Sequence, residues 1–298
     1  MQHNYNFWGG QIHLQSLVED FVNYLINKGK SENTVKSYKL HIVEYIKWFS
    51  DSYGTSFKKL YRENVLEYKS YLINVKKFKG KNLNAKTINA KLSALGLLNK
   101  FLIEQNVQDE VVINDSDMIK IQINYANPTD INKSEVENFR QKILEAGDKR
   151  LYAIVTLLAY GGLRISEALN IKLNDVSLQG KELTVRKGKG EKQRIVYLNT
   201  KIINSLREYL KERNDDGEFL FPSRESDKVD RTVINKQFKK HSDKITPHKL
   251  RHFFCSNALS AGFGIHEVAN QAGHSSIQTT LIYTNPSREQ MKRKAELL

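Results

Sequence analysis

The chain carries at residues 160–169 the stretch YGGLRISEAL, in which an arginine, Arg164, follows two glycines. The apolar residues 151–160 predict a helix that ends at these glycines. Backbone freedom at glycine allows the Arg164 guanidinium to be aimed, and a guanidinium can hold two oxygens of one phosphate. An ion pair between Arg164 and Glu167 on a helix surface explains the stretch equally well, so both interpretations stay open.

A second stretch, TPHKLRHFF at residues 246–254, places His248 and Arg251 three residues apart and therefore on one helix face. One phosphate could contact both side chains. The apolar residues of the stretch could instead form a core stripe that leaves the polar ones in solvent. His248 and His252 have the spacing of a metal-binding pair, but Lys249 stands where a zinc-peptidase motif requires Glu, so we expect no metal.

The third stretch, AGHSSIQTTLIYT at residues 272–284, offers Ser275 or Ser276 as the cap of a helix that begins just after His274. The start of a helix favours an anion. Tyr283 closes the stretch, and a tyrosine is by itself more often a packed aromatic than a nucleophile. A phenol with a pKa of about 10 is mostly protonated at neutral pH, so attack on phosphate would need a base or stabilisation of the phenolate.

The charge of the chain favours a polyanionic partner. Its 298 residues include 47 Lys or Arg and 33 Asp or Glu, which gives a formal charge of +14. Over residues 11–107 alone, 16 basic residues stand against 8 acidic ones, a balance of +8. Basic side chains bind nucleic acid by releasing condensed counterions, although a solvated basic surface with no such partner is the alternative.

Cysteine content and apolar runs restrict where the protein acts. Cys255 is the only cysteine, which excludes an intrachain disulfide and a Cys-rich zinc site. The start of the chain lacks the basic patch and apolar run of a signal peptide, and we see no stretch of about 18 apolar residues. These features predict a cytoplasmic protein that makes no membrane contact.

Apolar side chains recur at three- and four-residue steps across residues 11–107, which predicts helices with one buried face. The stripes run through residues 14–25, 35–49, 65–72 and 88–102. Ser31 and Asn33 are candidate caps for the second helix. The Lys- and Asn-rich residues 76–86 before the fourth stripe predict a basic loop.

The composition changes over residues 108–130, where five acidic residues stand against a single lysine, and we interpret this segment as a linker. From 131 to 298, helical patterns surround one predicted two-stranded element. Its strands are residues 183–186 and 194–198, joined by a turn rich in Gly and Lys at 187–192. The sequence therefore predicts two domains with a linker between them.

The three stretches, in this order, resemble the tyrosine recombinase or phage integrase family over nearly the whole chain. The family pattern is Arg, Lys in a β-turn, His-x-x-Arg, Gly-His, and Tyr nine residues later, and it is met without a gap. Residues 31–38 (SENTVKSY) and 86–94 (KTINAKLSA) are similar to two signatures of the family's core-binding domain. The resemblance implies a mainly α fold with a small β-sheet: a helical SAM-like domain at 11–107 and a mixed α/β catalytic domain at 131–298.

The resemblance also implies roles for six side chains and requires no metal or other cofactor. Arg164 and Arg251 would clamp the phosphate, and Tyr283 would attack it. Lys189 in the turn would donate a proton to the leaving 5′ oxygen. The implied assistants are two histidines, His248 and His274, and which of them acts as a base stays open.

The implied partners are double-stranded DNA at specific recombination sites and other copies of the chain. Four subunits would act on two sites through a Holliday junction, with the tail 286–298 docked on a neighbour, and an accessory or directionality protein is compatible with this scheme. Two alternatives remain. A type IB topoisomerase shares the Arg, Lys and Tyr chemistry but fits the pattern less well, and a DNA-binding protein without cleavage should have lost at least one of the six side chains.

Overall fold

The structure, a computed structural model, divides into two compact units, Met1–Ile123 and Asn124–Leu298, called the N-terminal and C-terminal units below. It describes residues 14–121, 131–186, 193–214, 216–223, 226–274, 276–284, 292, 295 and 296. Helices dominate both units and the sheets are small, so the predicted fold class is confirmed. None of the described helices is long and apolar enough to span a membrane.

The described part of the N-terminal unit contains four α-helices, and each coincides with one predicted stripe. They are α1 (Leu14–Asn27), α2 (Glu32–Tyr53), α3 (Arg62–Asn74) and α4 (Ala85–Glu104). The stripes converge on a core in which Phe21, Tyr45, Tyr68 and Leu92 are fully buried. The Ser31 hydroxyl caps α2 as predicted, accepting a hydrogen bond from the Thr34 N–H at 3.3 Å, whereas the other candidate, Asn33, lies inside the helix.

Between α3 and α4 the structure differs from the predicted basic loop. Strands β1 (Lys77–Phe78) and β2 (Lys81–Asn82) pair in antiparallel fashion, with Phe78 opposite Lys81. Lys79 and Gly80 form the two-residue turn with φ of 51° and 76°. Alternation of apolar and polar residues, the usual sequence signal of a hairpin, is missing because both strands are exposed on both faces.

The described part of the predicted linker, residues 108–121, packs on the N-terminal unit. Val112 and Ile113 are buried in its core. A short 3-10 helix, Asp115–Asp117, follows, and the Asp117 carboxylate accepts hydrogen bonds from both terminal nitrogens of Arg62 at 2.5 and 2.6 Å. The domain boundaries at 107 and 131 stay a prediction.

The C-terminal unit is built around one buried helix, α6. Its described helices are α5 (Lys133–Glu145), α6 (Lys149–Gly161), α7 (Ile165–Leu169), α8 (Thr200–Glu212), α9 (Arg231–His241), α10 (Pro247–Ser260), α11 (Ile265–Ala272) and α12 (Gln278–Leu281). Residues 153–159 of α6 are all buried, because the helix packs against α5, α8 and α10 on different sides. Its C-terminal end is therefore held firmly, and this end carries the YGGLRISEAL stretch.

A small antiparallel sheet packs on the same unit. The predicted strands are present as β4 (Glu182–Val185) and β5 (Arg194–Tyr197), with Leu183 opposite Val196 in the core. A third strand, β3 (Val176–Ser177), pairs with β4 and was not predicted, because two residues are too few to show a period. The turn 187–192 lies outside the described residues.

Candidate active site

Gly162 ends α6 in a left-handed conformation, with φ of 70°. A Cβ atom at this position would lie 2.4 Å from Cδ1 of Phe254, so only glycine fits. The turn sends Leu163 into the core and leaves Arg164 at the start of α7. The glycine of the sequence motif is thus explained by a close approach between α6 and α10.

Arg251, on α10, is the most buried charged group of the site, with 8% of its side chain exposed. Its Nη1 donates hydrogen bonds to the carbonyl oxygens of Gly162 and Ala272, both at 2.6 Å. Its Nη2 is buried and has no hydrogen-bond partner among the described residues. Burial, reinforced by the charge of Arg164, lowers the pKa of Arg251 to about 10. A buried N–H without a partner is costly, so this nitrogen is suited to an anionic oxygen.

Arg164 lies beside Arg251 and contacts the same turn. Its Nη1 donates to the carbonyl oxygen of Gly273 at 2.9 Å and to Oε1 of Glu167 at 3.0 Å. The ion pair between Arg164 and Glu167 considered as an alternative therefore exists, but Glu167 is largely buried and the arginine also reaches a turn more than a hundred positions away. With 43% of its side chain exposed, Arg164 remains accessible to a ligand. The two arginines together hold the backbone of residues 272–273.

Sequence reasoning missed a second layer, in which Arg194 of β5 grips Glu167. Nη1 and Nη2 of Arg194 donate to Oε1 and Oε2 of Glu167 at 3.0 and 2.8 Å, and Nε donates to the carbonyl oxygen of Gln271 at 3.2 Å. Burial acts to raise the pKa of Glu167, but the hydrogen bonds and charge of Arg194 hold it below its ordinary value. Gly273 has φ of 71°, and a Cβ there would lie 2.6 Å from Cζ of Arg194. The Gly-His turn is therefore glycine for a steric reason.

Three histidines line up with Tyr283. The ring centroids of His248 and His252 are 4.2 Å apart, those of His252 and Tyr283 5.1 Å, and those of His274 and Tyr283 6.3 Å. Nδ1 of His274 hydrogen-bonds Oγ1 of Thr280 at 2.7 Å. The row connects the exposed start of α10 with the tyrosine.

These imidazoles favour the neutral form. Burial, followed by the charges of Arg251 and Arg164, lowers the pKa of His274 to about 4. Burial, followed by the neighbouring His248, also lowers the pKa of His252 to about 4. Burial and Arg251 also lower the pKa of His248. Neutral imidazoles can accept a proton once a phosphate neutralises the nearby arginines.

Tyr283 packs against the small cluster formed by Phe254, Cys255 and Ala258 of α10 together with residues of α11. Burial raises the pKa of its phenol, and the Cys255 thiol adds to the effect while Arg251 opposes it. The phenol therefore keeps its proton in the free protein. Nucleophilic attack would require that the proton leave as the bond to phosphorus forms.

Of the six side chains expected at the site, four lie together around residues 272–274: Arg164, Arg251, His274 and Tyr283. The fifth, His248, is joined to Tyr283 through the ring of His252. Lys189 lies outside the described residues. The helix expected just after His274 begins later, at Gln278, whose N–H donates a hydrogen bond to the Ser276 hydroxyl at 3.3 Å. Ser275 and most of the tail 286–298 also lie outside the described residues.

Comparison with known proteins agrees with this geometry. The phage integrase family matches residues 130–290, and the N-terminal SAM-like domain of phage integrases matches residues 18–106. The chain belongs to the phage integrase family. This integrase-family chain is a tyrosine-type site-specific recombinase, as its sequence pattern predicted, and so an enzyme that breaks and rejoins DNA strands.

Individual integrase-family relatives align over nearly their whole length. The chain is 53% identical over 287 residues to TnP I resolvase of Bacillus thuringiensis, covering 95% of this chain and 99% of the relative. It is 31% identical to tyrosine recombinase XerC of Leptospira interrogans, covering 94% and 91%. Among solved structures, XerH recombinase bound to its difH substrate in a pre-cleavage complex is 21% identical, with a TM-score of 0.68 and coverage of 94% and 93%, which shows a shared fold.

Proposed function

We propose that this recombinase cleaves double-stranded DNA by attack of Tyr283 on a phosphodiester, which forms a 3′-phosphotyrosyl bond. The observation that carries the proposal is the buried guanidinium of Arg251, whose Nη1 is fixed by two carbonyl oxygens while Nη2 has no partner among the described residues. A phosphate oxygen would satisfy it. Arg164, anchored to the adjacent carbonyl of Gly273, would hold a second oxygen.

Electrostatics give the arrangement its chemical purpose. The transition state of phosphoryl transfer carries growing negative charge on the phosphate oxygens, and donors already aimed at that charge stabilise it without reorganisation. Arg251 is fixed in this way, and Glu167 fixes Arg164 from the other side. Nδ1 of His274 hydrogen-bonds Oγ1 of Thr280, which orients the ring and leaves Nε2 to meet either the phosphate or the phenol of Tyr283.

The covalent step balances without an external energy source. The Tyr283 oxygen bonds to phosphorus as the bond from phosphorus to the 5′ oxygen breaks. The phenol proton passes to a base, for which His248 and His274 are the proposed candidates, and the leaving 5′ oxygen takes a proton, for which Lys189 is the proposed donor. Because the phosphotyrosyl bond conserves the energy of the phosphodiester, a 5′-hydroxyl from another strand can reverse the attack and reseal the DNA.

The reaction we propose is resolution, carried out by four subunits on two DNA sites through a Holliday junction. The 53% identity to a relative named a resolvase supports this choice over integration or excision. The tail 286–298 is proposed to dock on the neighbouring subunit. The formal charge of +14 fits a polyanionic partner of this size.

A covalent-trapping assay tests the nucleophile. Nicked duplexes, built from sequences that the protein selects from a random pool, are incubated with wild type, Tyr283→Phe and Tyr197→Phe, without added metal, and resolved on a denaturing gel. Tyr197 is 64% exposed in the same unit, so its variant controls for loss of any phenol. We expect an adduct with wild type and Tyr197→Phe only. Binding without an adduct in wild type, or an adduct with Tyr283→Phe, would contradict the proposal.

A further inference from the structure

We infer that the hairpin β1–β2 of the N-terminal unit is a DNA-reading element, which enters the major groove and places Phe78 against base edges while its lysines contact phosphates. The inference rests on the proposed function only in taking double-stranded DNA as the partner. It concerns a segment between α3 and α4, in a different unit from the tyrosine and its arginines.

The hairpin presents an aromatic ring that the fold does not use. Phe78 is 67% exposed, and every residue of both strands is exposed. A turn of two residues with positive φ, Lys79 and Gly80, reverses the chain at its tip. An isolated two-stranded ribbon is marginally stable and gains nothing from a phenylalanine in water. The ring therefore stays available for an intermolecular contact.

Charge around the ring selects the partner. Residues 76–86 contain five lysines and no acidic residue. Lys76 is the lysine at the base of the hairpin, where its Nζ lies 3.2 Å from Oε1 of Glu44 on α2 and ties the segment to the core. Lys77, Lys79 and Lys81 are exposed, and Nζ of Lys79 lies 5.7 Å from the centre of the Phe78 ring. An apolar ring framed by cations suits a polyanion with apolar groups between its charges.

Duplex DNA has that arrangement in its major groove. The groove admits a two-stranded β-ribbon, and the methyl group of thymine is an apolar contact on its floor that phenylalanine can make. Lysines contact the phosphates that line both edges of the groove, and these contacts add affinity without reading sequence. The hairpin thus combines one side chain that reads bases with three that bind the backbone.

The lysines are tested by the salt dependence of binding. Affinity for a 30-bp duplex selected by the protein from a random pool is measured across salt concentrations for wild type and for Lys77→Ala/Lys79→Ala/Lys81→Ala. Each phosphate contact contributes about 0.9 to the slope of log affinity against log salt, so the slope should fall by about 2.7. The matched triple replacement by arginine keeps the charges and should keep the slope. An unchanged slope in the alanine variant would overturn the inference.

The contact of Phe78 is tested from the DNA side, by removing the methyl group of thymine. Replacing thymine by uracil throughout the selected duplex deletes only the methyl groups, and loss of one buried methyl contact lowers affinity about fourfold. We expect this loss in wild type and its absence in Phe78→Ala, which should already bind the thymine duplex about fourfold more weakly. Equal sensitivity to uracil in both proteins would remove Phe78 from the groove.

Two further readouts separate this inference from its alternatives. Tyr283→Phe should keep the salt slope and the uracil sensitivity of wild type while it forms no adduct, so a failure of the hairpin is distinct from a failure of the nucleophile. If the hairpin variants bind a single duplex like wild type and instead lose assembly of several subunits, the hairpin contacts a second copy of the chain and the inference is wrong. Circular dichroism checks that the fold is intact.

Discussion

Substituting Gly162 by alanine tests the link between the turn after α6 and the buried Arg251. The added Cβ would lie 2.4, 2.5 and 2.9 Å from three ring carbons of Phe254, and φ at this position is 70°. Gly147, in the same unit, has φ of 75° and nothing within 4 Å of its Cβ position. Gly147→Ala is therefore a matched control that carries the backbone strain without the clash.

The magnitudes follow from these two terms. A left-handed conformation costs a residue other than glycine about 1–2 kcal/mol, which applies to both variants. Forcing a methyl group into a packed site adds about 1–3 kcal/mol, and Phe254 is only 7% exposed, so its ring has little room to yield. We expect Gly162→Ala to lose about 2–5 kcal/mol in the free energy of unfolding and Gly147→Ala about 1–2 kcal/mol.

The free energy of unfolding of the C-terminal unit alone is measured for each variant by hydrogen exchange with mass spectrometry across a series of urea concentrations. The Gly162 carbonyl accepts from Arg251, so Gly162→Ala should also slow formation of the Tyr283 adduct, whereas Gly147→Ala should not. The double variant Gly162→Ala/Phe254→Ala should lose less free energy of unfolding than the two single variants lose together, because the added methyl group no longer meets the Phe254 ring. Equal losses in the two glycine variants, or no coupling with Phe254, would refute the steric explanation.

Three other perturbations probe the site. Arg194→Ala should lower the free energy of unfolding by about 3 kcal/mol, because it removes the bidentate partner of the half-buried Glu167, and Arg194→Lys should restore little because lysine cannot pair through two parallel bonds; urea unfolding measures both. Arg251→Lys should slow adduct formation about 100-fold on nicked DNA, the scale of one lost transition-state donor. Between pH 6.5 and about 4, His252 and His274 bind protons in the unfolded chain but not in the folded protein. The free energy of unfolding should therefore fall as the pH drops through this window, and it should depend less on pH in the double variant His252→Gln/His274→Gln.

The fold was predictable where burial is periodic. Stripes of apolar residues at three- and four-residue steps located α1 to α4, because each of these helices buries one face. The hairpin at 77–82 and the strand β3 were missed, because strands of two residues show no alternation. The burial of Val112 and Ile113 in a segment interpreted as a linker was also missed, since a run of three apolar residues, 111–113, is too short to show a period.

The site was predictable only as residue types in an order. That order identified Arg164 and Arg251, but it could not show that both bind carbonyl oxygens of one turn. Arg194 and Glu167 lie on a strand and a helix 27 positions apart, and each looked like an ordinary charged surface residue. The pairing depends on the packing of β5 against α11, which brings Arg194 to Glu167 of α7, and a single sequence carries no signal for it.

The contacts of Arg251 also suggest how the free enzyme and the DNA complex differ in energy. Burying a guanidinium with one nitrogen unpartnered among the described residues costs the folded C-terminal unit stability. The cost is confined to the nitrogen that we propose contacts the phosphate, while Nη1 of Arg251 and Nη1 of Arg164 hold the carbonyl oxygens of residues 162, 272 and 273. A phosphate that binds there repays the desolvation already incurred and needs no rearrangement of the arginines. The second layer bears on the same turn, because Nε of Arg194 donates to the carbonyl oxygen of Gln271 while its two terminal nitrogens hold Glu167. We therefore expect Arg194→Ala to let the turn relax toward Nη2 of Arg251 in the absence of DNA.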